Sequence, residues 1–260
     1  YTLRTLEKFG MADCKPLITP TESSLKLIKS DKDYRKQMER IPYRSAVGSL
    51  MYLAVTTRLD IAYAVKEVAR FNENPSPTHW SAVKRIFRYL KGTLDFCIIY
   101  HATQRSSELT FYCDSDWAGS LDDRKSTSGI VTLYYGGPVN WSSTCQKVTA
   151  LSTVEAEYMA MSDAVKDVLW FRSLFHSLGF TLTEPTKLYV DNRGAIALSE
   201  NPEFHRRTKH IGVRYHRIRE EQEAGSIKVL YVESENQLAD CLTKGVGGWK
   251  LKRNLRLLGI

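Results

Sequence analysis

No run of apolar residues approaches the roughly 20 that a membrane-spanning helix needs, and no stretch reads as a signal peptide. The five cysteines, Cys14, Cys97, Cys113, Cys145 and Cys241, are odd in number and never form a CxxC pair. That argues against a disulfide framework or a structural zinc site and predicts reduced thiols in an intracellular protein. Internal repeats and low-complexity tracts are also missing. The rest is ordinary for a soluble protein, with 43% hydrophobic and 25% charged residues over 260 positions, enough for one large or two modest domains. The chain starts at Tyr1 rather than Met, which predicts a piece of something longer.

The net charge of +8 is unevenly divided. Residues 1 to 104 hold 17 Lys and Arg against 10 Asp and Glu, whereas residues 105 to 260 hold 20 against 19. The first part is therefore the better candidate for sequence-independent attraction to phosphates. Pro16, Pro20 and the charged segment from Lys26 to Arg40 read as loop or linker. From Ser49 to Phe71 apolar residues recur at helical spacing, and a second helix is predicted from His79 to Leu90, after Pro75 and Pro77. Its Val83, Ile86, Phe87 and Leu90 form one face, while Lys84, Arg85, Arg88 and Lys91 populate the rest. Those four, and a second cluster of Arg206, Arg207, Lys209, Arg214 and Arg217, are candidate nucleic-acid contacts. Charge runs also serve as plain solvated faces, and that reading stands beside the binding one.

Four carboxylates, Asp114, Glu157, Asp191 and Asp240, occur near strand ends and in helices. Leu109, Phe111 and Cys113 alternate with Thr110 and Tyr112, so Asp114 is expected to close a strand, with Asp116 in the turn beyond it. Ser152 and Glu155 have capping-box spacing, which starts a helix and leaves Glu157 on the side of Ala160, Met161 and Ala164. Asp191 follows the short apolar strand Lys187-Leu188-Tyr189-Val190, and it or Asn192 also suits a helix cap. Asp240 falls in a helical stretch between Leu238 and Leu242. Singly, each acid suits a turn, a cap or a helix surface. Together they suit divalent cations, because acids gathered from separate elements repel one another and lose hydration.

The strings around these acids resemble the ribonuclease H domain of copia-type LTR retrotransposon polyproteins. They are Tyr112-Cys113-Asp114-Ser115-Asp116-Trp117-Ala118-Gly119, Asp123-Arg124-Lys125-Ser126-Thr127-Ser128-Gly129, Ala150-Leu151-Ser152-Thr153-Val154-Glu155-Ala156-Glu157-Tyr158, Tyr189-Val190-Asp191-Asn192 and Gln237-Leu238-Ala239-Asp240. Arg207-Thr208-Lys209-His210-Ile211 and Arg214-Tyr215-His216 are also typical of that family. Earlier, Tyr43 to Leu53 and Lys84 to Thr93 resemble the thumb and connection region that precedes this domain, as does Arg58 to Ala62 with Leu59 in place of the usual proline. No Tyr-x-Asp-Asp polymerase motif occurs. Many members of the wider superfamily carry a histidine before the final acid, and Val232 to Asp240 has none; His210 and His216 are near in sequence, and a basic helix surface is the preferred reading for both.

The resemblance implies an α/β, RNase H-like mixed five-stranded sheet with flanking helices, preceded by a mainly helical basic module. The expected boundaries are a reverse transcriptase thumb/connection-like module over 1–104, an RNase H domain over 105–245 and a tail over 246–260. The fold is expected to contain strands near 108–114, 129–135, 139–145, 187–191 and 227–232, with a hairpin turn at Gly136-Gly137. The implied activity is cleavage of RNA within an RNA–DNA hybrid, with two Mg²⁺ or Mn²⁺ ions about 4 Å apart. Asp114, Glu157 and Asp191 would hold one ion, and Asp114 and Asp240 the other. Implied partners are the hybrid and the remainder of the polyprotein, with no membrane. The implied location is the cytoplasm, in a virus-like particle, with access to the nucleus. Two other readings are a noncatalytic or domesticated nucleic-acid-binding remnant and an exonuclease of related fold.

Overall fold

A computed structural model describes residues 1–100, 108–180, 182–200 and 212–260, with the side chains of 212–216 outside that description. Helices α1 (Thr2–Lys8), α2 (Arg35–Met38), α3 (Tyr43–Thr56), α4 (Ala62–Ala69) and α5 (Pro77–Lys91) come first. Strands β1 (Thr110–Asp116), β2 (Thr127–Tyr134) and β3 (Gly137–Cys145) follow, then α6 (Thr153–Ser177), β4 (Thr186–Val190), α7 (Arg193–Glu200), α8 (Gly212–Glu223) and β5 (Ile227–Tyr231). A 3₁₀ turn at Leu238–Leu242 and helix α9 (Gly248–Leu257) complete the chain. The sheet order is β3-β2-β1-β4-β5. β1, β2 and β3 pair antiparallel, whereas β4 and β5 join in parallel. The expected α/β class, a mixed five-stranded sheet with flanking helices, is what the structure has.

Alternation along β1 sends its residues to two cores. Phe111 and Cys113 pack with Ile130, Leu188 and Val190 against Tyr158, Met161, Ala164, Val165 and Val168 of α6. Tyr112, paired with Val131 on β2, turns to the other face. There Val131 joins a second core with Leu50, Leu53, Val65, Val68, Phe87 and Leu90 of the amino-terminal helices and Leu238, Leu242, Leu251 and Leu255 of the last elements. The amino-terminal helices thus cover one face of the sheet, and residues 246–260, expected as a tail, hold α9 with buried Leu251, Leu255 and Leu258.

Several local expectations shift for physical reasons. The helical run from Ser49 to Phe71 breaks between α3 and α4, where a turn at Leu59–Ile61 brings Arg58 and Asp60 together inside the protein. α5 begins earlier than His79, because Ser76 and Pro77 start it. Ser76 Oγ accepts from the His79 N–H, and His79 Nδ1 accepts from the Ser76 N–H at 2.9 Å, so a histidine takes the place of the usual Glu or Gln in a capping box. The hairpin turn is centred on Tyr135 and Gly136, whose φ values of 50° and 76° suit a primed turn. Gly137 opens β3 instead, where an added Cβ would meet Tyr100 at 2.7 Å. The charged segment from Lys26 to Arg40, read as loop or linker, contains α2 and lies against the sheet domain: Lys26 reaches Asp116 at 3.0 Å and the Lys29 N–H donates to Asp122 at 2.9 Å.

The Arg58–Asp60 pair is 4% and 0% exposed and bidentate, at 3.0 Å and 2.8 Å. Tyr89 donates to the same carboxylate at 2.7 Å, and Arg58 also donates to the Thr93 carbonyl at 3.0 Å. Removing one charge strands the other in a buried place. Asp60→Ala is expected to cost ~3–5 kcal/mol in urea unfolding; a loss under ~1 kcal/mol, the value of an exposed pair, would show that the network is not a structural tie.

Candidate active site

β1 delivers Asp114 to the carboxyl end of the sheet. The strand runs two residues further than expected, pairing Ser115 with Ser128 and Asp116 with Thr127, so Asp114 sits inside it rather than closing it. Asp114 shares the parity of Tyr112 and lies on the face that meets the 3₁₀ turn. Its cross-strand partner is Gly129. An added Cβ there would stand 2.7 Å from Thr243, 2.9 Å from the Ala239 carbonyl and 2.9 Å from Leu242. The missing side chain therefore lets the turn that bears Asp240 lie directly on the sheet beside Asp114. Gln237, fully buried, pins that turn: its Nε2 donates to the Cys113 carbonyl at 2.9 Å and its Oε1 accepts from the Ala239 N–H at 3.2 Å.

α6 delivers Glu157. Ser152 Oγ accepts from the Glu155 N–H at 3.2 Å, while Glu155 reaches back to the Leu151 N–H at 2.9 Å. With Glu155 committed to the cap, Glu157 is the acid that turns inward, 5% exposed. Its Oε1 accepts from the Ser115 N–H at 3.1 Å; Oε2 is buried with no hydrogen-bond partner among the described residues. At the end of β4, Asn192 Oδ1 accepts from the Ala195 N–H at 3.1 Å and so caps α7. That leaves Asp191 for other work, with Ser234 donating to it at 2.8 Å.

Ligand oxygens of Asp114, Glu157 and Asp191 lie within 4.8 Å of one another. The fourth acid, Asp240, is 1% exposed, held by Lys244 at 2.6 Å and by Lys250. Lys244 Nζ is also 3.8 Å from Asp114, to which the Thr243 hydroxyl donates. Burial, reinforced by the nearby Asp240 and Asp191, pushes the Asp114 carboxyl up to about 7 against the pull of Lys244 and Thr243. Burial and then the Asp114 and Asp191 charges push Glu157 well above the carboxylate range. Lys244 moves upward as well, since Asp114 and Asp240 together outweigh its burial. The neighbouring thiols of Cys113 and Cys241 are raised by burial, the latter to about 12, and both lie in the cores.

An open cleft of ≈ 480 Å³ exposes Asp114, Glu157 and Asp191 together with Trp117, Arg193 and Lys244. Three carboxylates with an orphaned buried oxygen form a hard, all-oxygen donor set of the kind Mg²⁺ and Mn²⁺ take. The residues present fit such an ion.

The basic residues divide. Arg85 bonds Glu22 at 2.6 Å and Thr19 at 3.0 Å, and Arg88 donates to the Lys15 carbonyl at 2.7 Å, so both fasten the early chain to α5. Lys84 is exposed and Lys91 half-buried. Arg217 is exposed and pairs with Glu221 at 3.2 Å. Arg206, Arg207, Lys209 and His210 lie outside the described residues, and Arg214 and His216 are in α8 with side chains outside that description. Gly129, Gln237, Thr243, Lys244 and Lys250 were not singled out by the sequence. Gly129 and Gln237 stand within the family-like strings without a role of their own, and Lys244 carried a local signal, four residues after Asp240.

No family model matches the chain. It is 44% identical over 264 residues to the retrovirus-related Pol polyprotein from transposon TNT 1-94 of Nicotiana tabacum, which covers all of this chain and 20% of that protein. Identity to the corresponding polyprotein from transposon RE2 of Arabidopsis thaliana is 39% over 260 residues, again the whole chain and 18% of the relative. The chain thus spans a fifth or less of these relatives' length. Among solved structures it is similar to LC11-RNase H1 in complex with RNA/DNA hybrid, with a TM-score of 0.40 and 14% identity over 52% of this chain and 94% of that one. Among the described residues, no helix is long and apolar enough to cross a membrane.

Because Asp114 and Glu157 carry raised pKa values, the folded state holds more protons than the unfolded one above the ordinary carboxylate range. Linkage then makes stability fall as pH rises from about 4 towards about 7. In EDTA, the melting temperature of Asp114→Asn is expected to gain on the wild type across that window and to exceed it at pH 8. A gap between the two proteins that does not change with pH would refute the charge-burial account.

Proposed function

Since this chain belongs to the family of retrovirus-related Pol polyproteins from copia-type transposons, we propose that its sheet domain hydrolyses the RNA strand of RNA–DNA hybrids internally, with divalent cations. The observation that carries this reading is the convergence of Asp114, Glu157 and Asp191, from β1, α6 and the end of β4, on an open cleft. Asp114, Glu157 and Asp191 would hold one ion, and Asp114 with Asp240 the other. Bound there, such ions lower the pKa of a coordinated water and stabilise charge on the phosphate oxygens.

The chain's own residues do the rest. The Ser115 N–H and Ser234 hydroxyl each occupy one lone pair of Glu157 and Asp191, which fixes the carboxylates' orientation and leaves Glu157 Oε2 free to ligate. Arg193, stacked 4.4 Å from the Tyr231 ring, lines the same cleft and offers a guanidinium to a phosphate of the substrate backbone. RNA selectivity rests on contacts to the 2′-hydroxyl in the shallow minor groove of the hybrid.

Asp191→Asn is expected to abolish internal cleavage of a labelled hybrid in Mg²⁺ or Mn²⁺ while leaving the circular dichroism spectrum and melting transition intact; full activity would eliminate the assignment. A folded wild-type chain that binds the hybrid tightly without cutting it would favour the binding-remnant reading, and failure to cut a circular hybrid would favour an exonuclease. Phosphate binding by α5 has its own check. Replacing Lys84 and Lys91 with Ser should reduce the slope of log K against log salt by up to ~2, and an unchanged slope removes them as contacts.

A further inference from the structure

The two carboxylates that would share the second ion, Asp114 and Asp240, are 2% and 1% exposed, and Lys244 lies between them. Its Nζ stands 2.6 Å from Asp240 Oδ1 and 3.8 Å from Asp114 Oδ2. Mg²⁺ lies about 2.0–2.1 Å from each oxygen that it binds. An ion held by Asp114 and Asp240 would therefore compete with the Lys244 ammonium for one space. Lys250 does not compete in the same way, because it meets the other Asp240 oxygen, Oδ2. The Lys244 side chain is 41% exposed, so its four-carbon stem has open solvent to swing into. Asp114 Oδ2 also accepts from the Thr243 hydroxyl, and Glu157 and Asp191 receive their hydrogen bonds from Ser115 and Ser234 with no lysine in an ion pair with either among the described residues.

We infer that Lys244 is a tethered counter-cation that stands in the place of the second divalent ion and must swing out for that ion to bind. The first ion then loads at Asp114, Glu157 and Asp191, and the second loads only against the lysine. This inference rests on the two-ion reading of the site. Lys244 becomes the residue that sets the concentration at which the second ion binds, and it offsets part of the charge of Asp114 and Asp240 until then. It stands against the carboxylates that would hold that ion and takes no part in bond breaking.

The test uses the full chain and Mg²⁺ alone, with no turnover. Isothermal calorimetry counts the ions, while brief acylation with acetic anhydride, read by mass spectrometry, follows the reactivity of each lysine amine, with exposed Lys84 as the reference. Lys244 is expected to react slowly without Mg²⁺ and several-fold faster at saturation, with Lys84 unchanged. Lys244→Met should bind the second ion about tenfold more tightly, whereas Lys244→Arg should not. Should Lys244→Met fail to fold, the acylation of the wild-type chain still decides. Two bound ions with unaltered Lys244 reactivity would overturn this inference and leave the two-ion reading in place. No bound ion in either the wild type or Lys244→Met would remove the two-ion reading itself.

Discussion

Acids that ionise inside a protein need positive charge within a few ångströms, and meeting that requirement shapes the carboxyl end of this sheet. Asp114 and Asp240 are almost wholly buried, and the 3₁₀ turn that carries Asp240 can reach Asp114 only because Gly129 leaves room for it. Gln237 then fixes the turn to the Cys113 carbonyl and Asn254 of α9 donates to the Gln237 carbonyl at 3.3 Å. The lysines that balance the charge come from the same short stretch, Lys244 just after the turn and Lys250 in α9. A last helix in the position of a tail is thus part of the electrostatics of the site.

The amino-terminal helices enter through packing. β2 is buried on both faces over most of its length, and the face carrying Val131 has no cover from α6. Leu53, Val65, Val68 and Phe87 supply that cover, and polar ties close the seam: Trp141 Nε1 donates to the Ala54 carbonyl at 2.7 Å, Lys66 to Thr127 at 2.7 Å and Arg70 to Asp122 at 2.9 Å. Thr127 is the first residue of β2 and pairs with Asp116, the last of β1, which Lys26 holds. The edge of the acidic cleft is thereby held from the amino-terminal side. Charge excess in the first 104 residues is spent partly on these internal contacts, which is why Arg85 and Arg88 face their own chain.

What the sequence made legible was local. Period-two alternation placed β1, capping-box spacing placed the start of α6, and the side of α6 shared by Ala160, Met161 and Ala164 pointed Glu157 inward. Asn192 as the α7 cap could not be separated from Asp191 by pattern alone, because both residue types cap equally well. Features that depend on distant partners left no periodic trace. The need for a glycine at 129 comes from Thr243, Ala239 and Leu242, more than a hundred positions away, and the break between α3 and α4 needs Thr93 and Tyr89 to receive Arg58 and Asp60. The β1 extension past Asp114 likewise comes from its partner β2, not from its own alternation.

The four acids are not equivalent, and the difference follows from which side of the sheet each reaches. Asp114 and Asp240 lie deep, countered by ammonium groups, while Glu157 and Asp191 meet hydroxyl and amide donors, and Asp191 is half exposed beside Arg193 and the cleft. Ammonium groups of the fold stand against the deep pair, whereas the hydrogen bonds to the outer pair come from neutral groups. On the two-ion reading proposed above, lysine on one side and bare oxygen on the other would give a single cluster of acids two sites of unequal affinity, with no difference in ligand type needed to produce it.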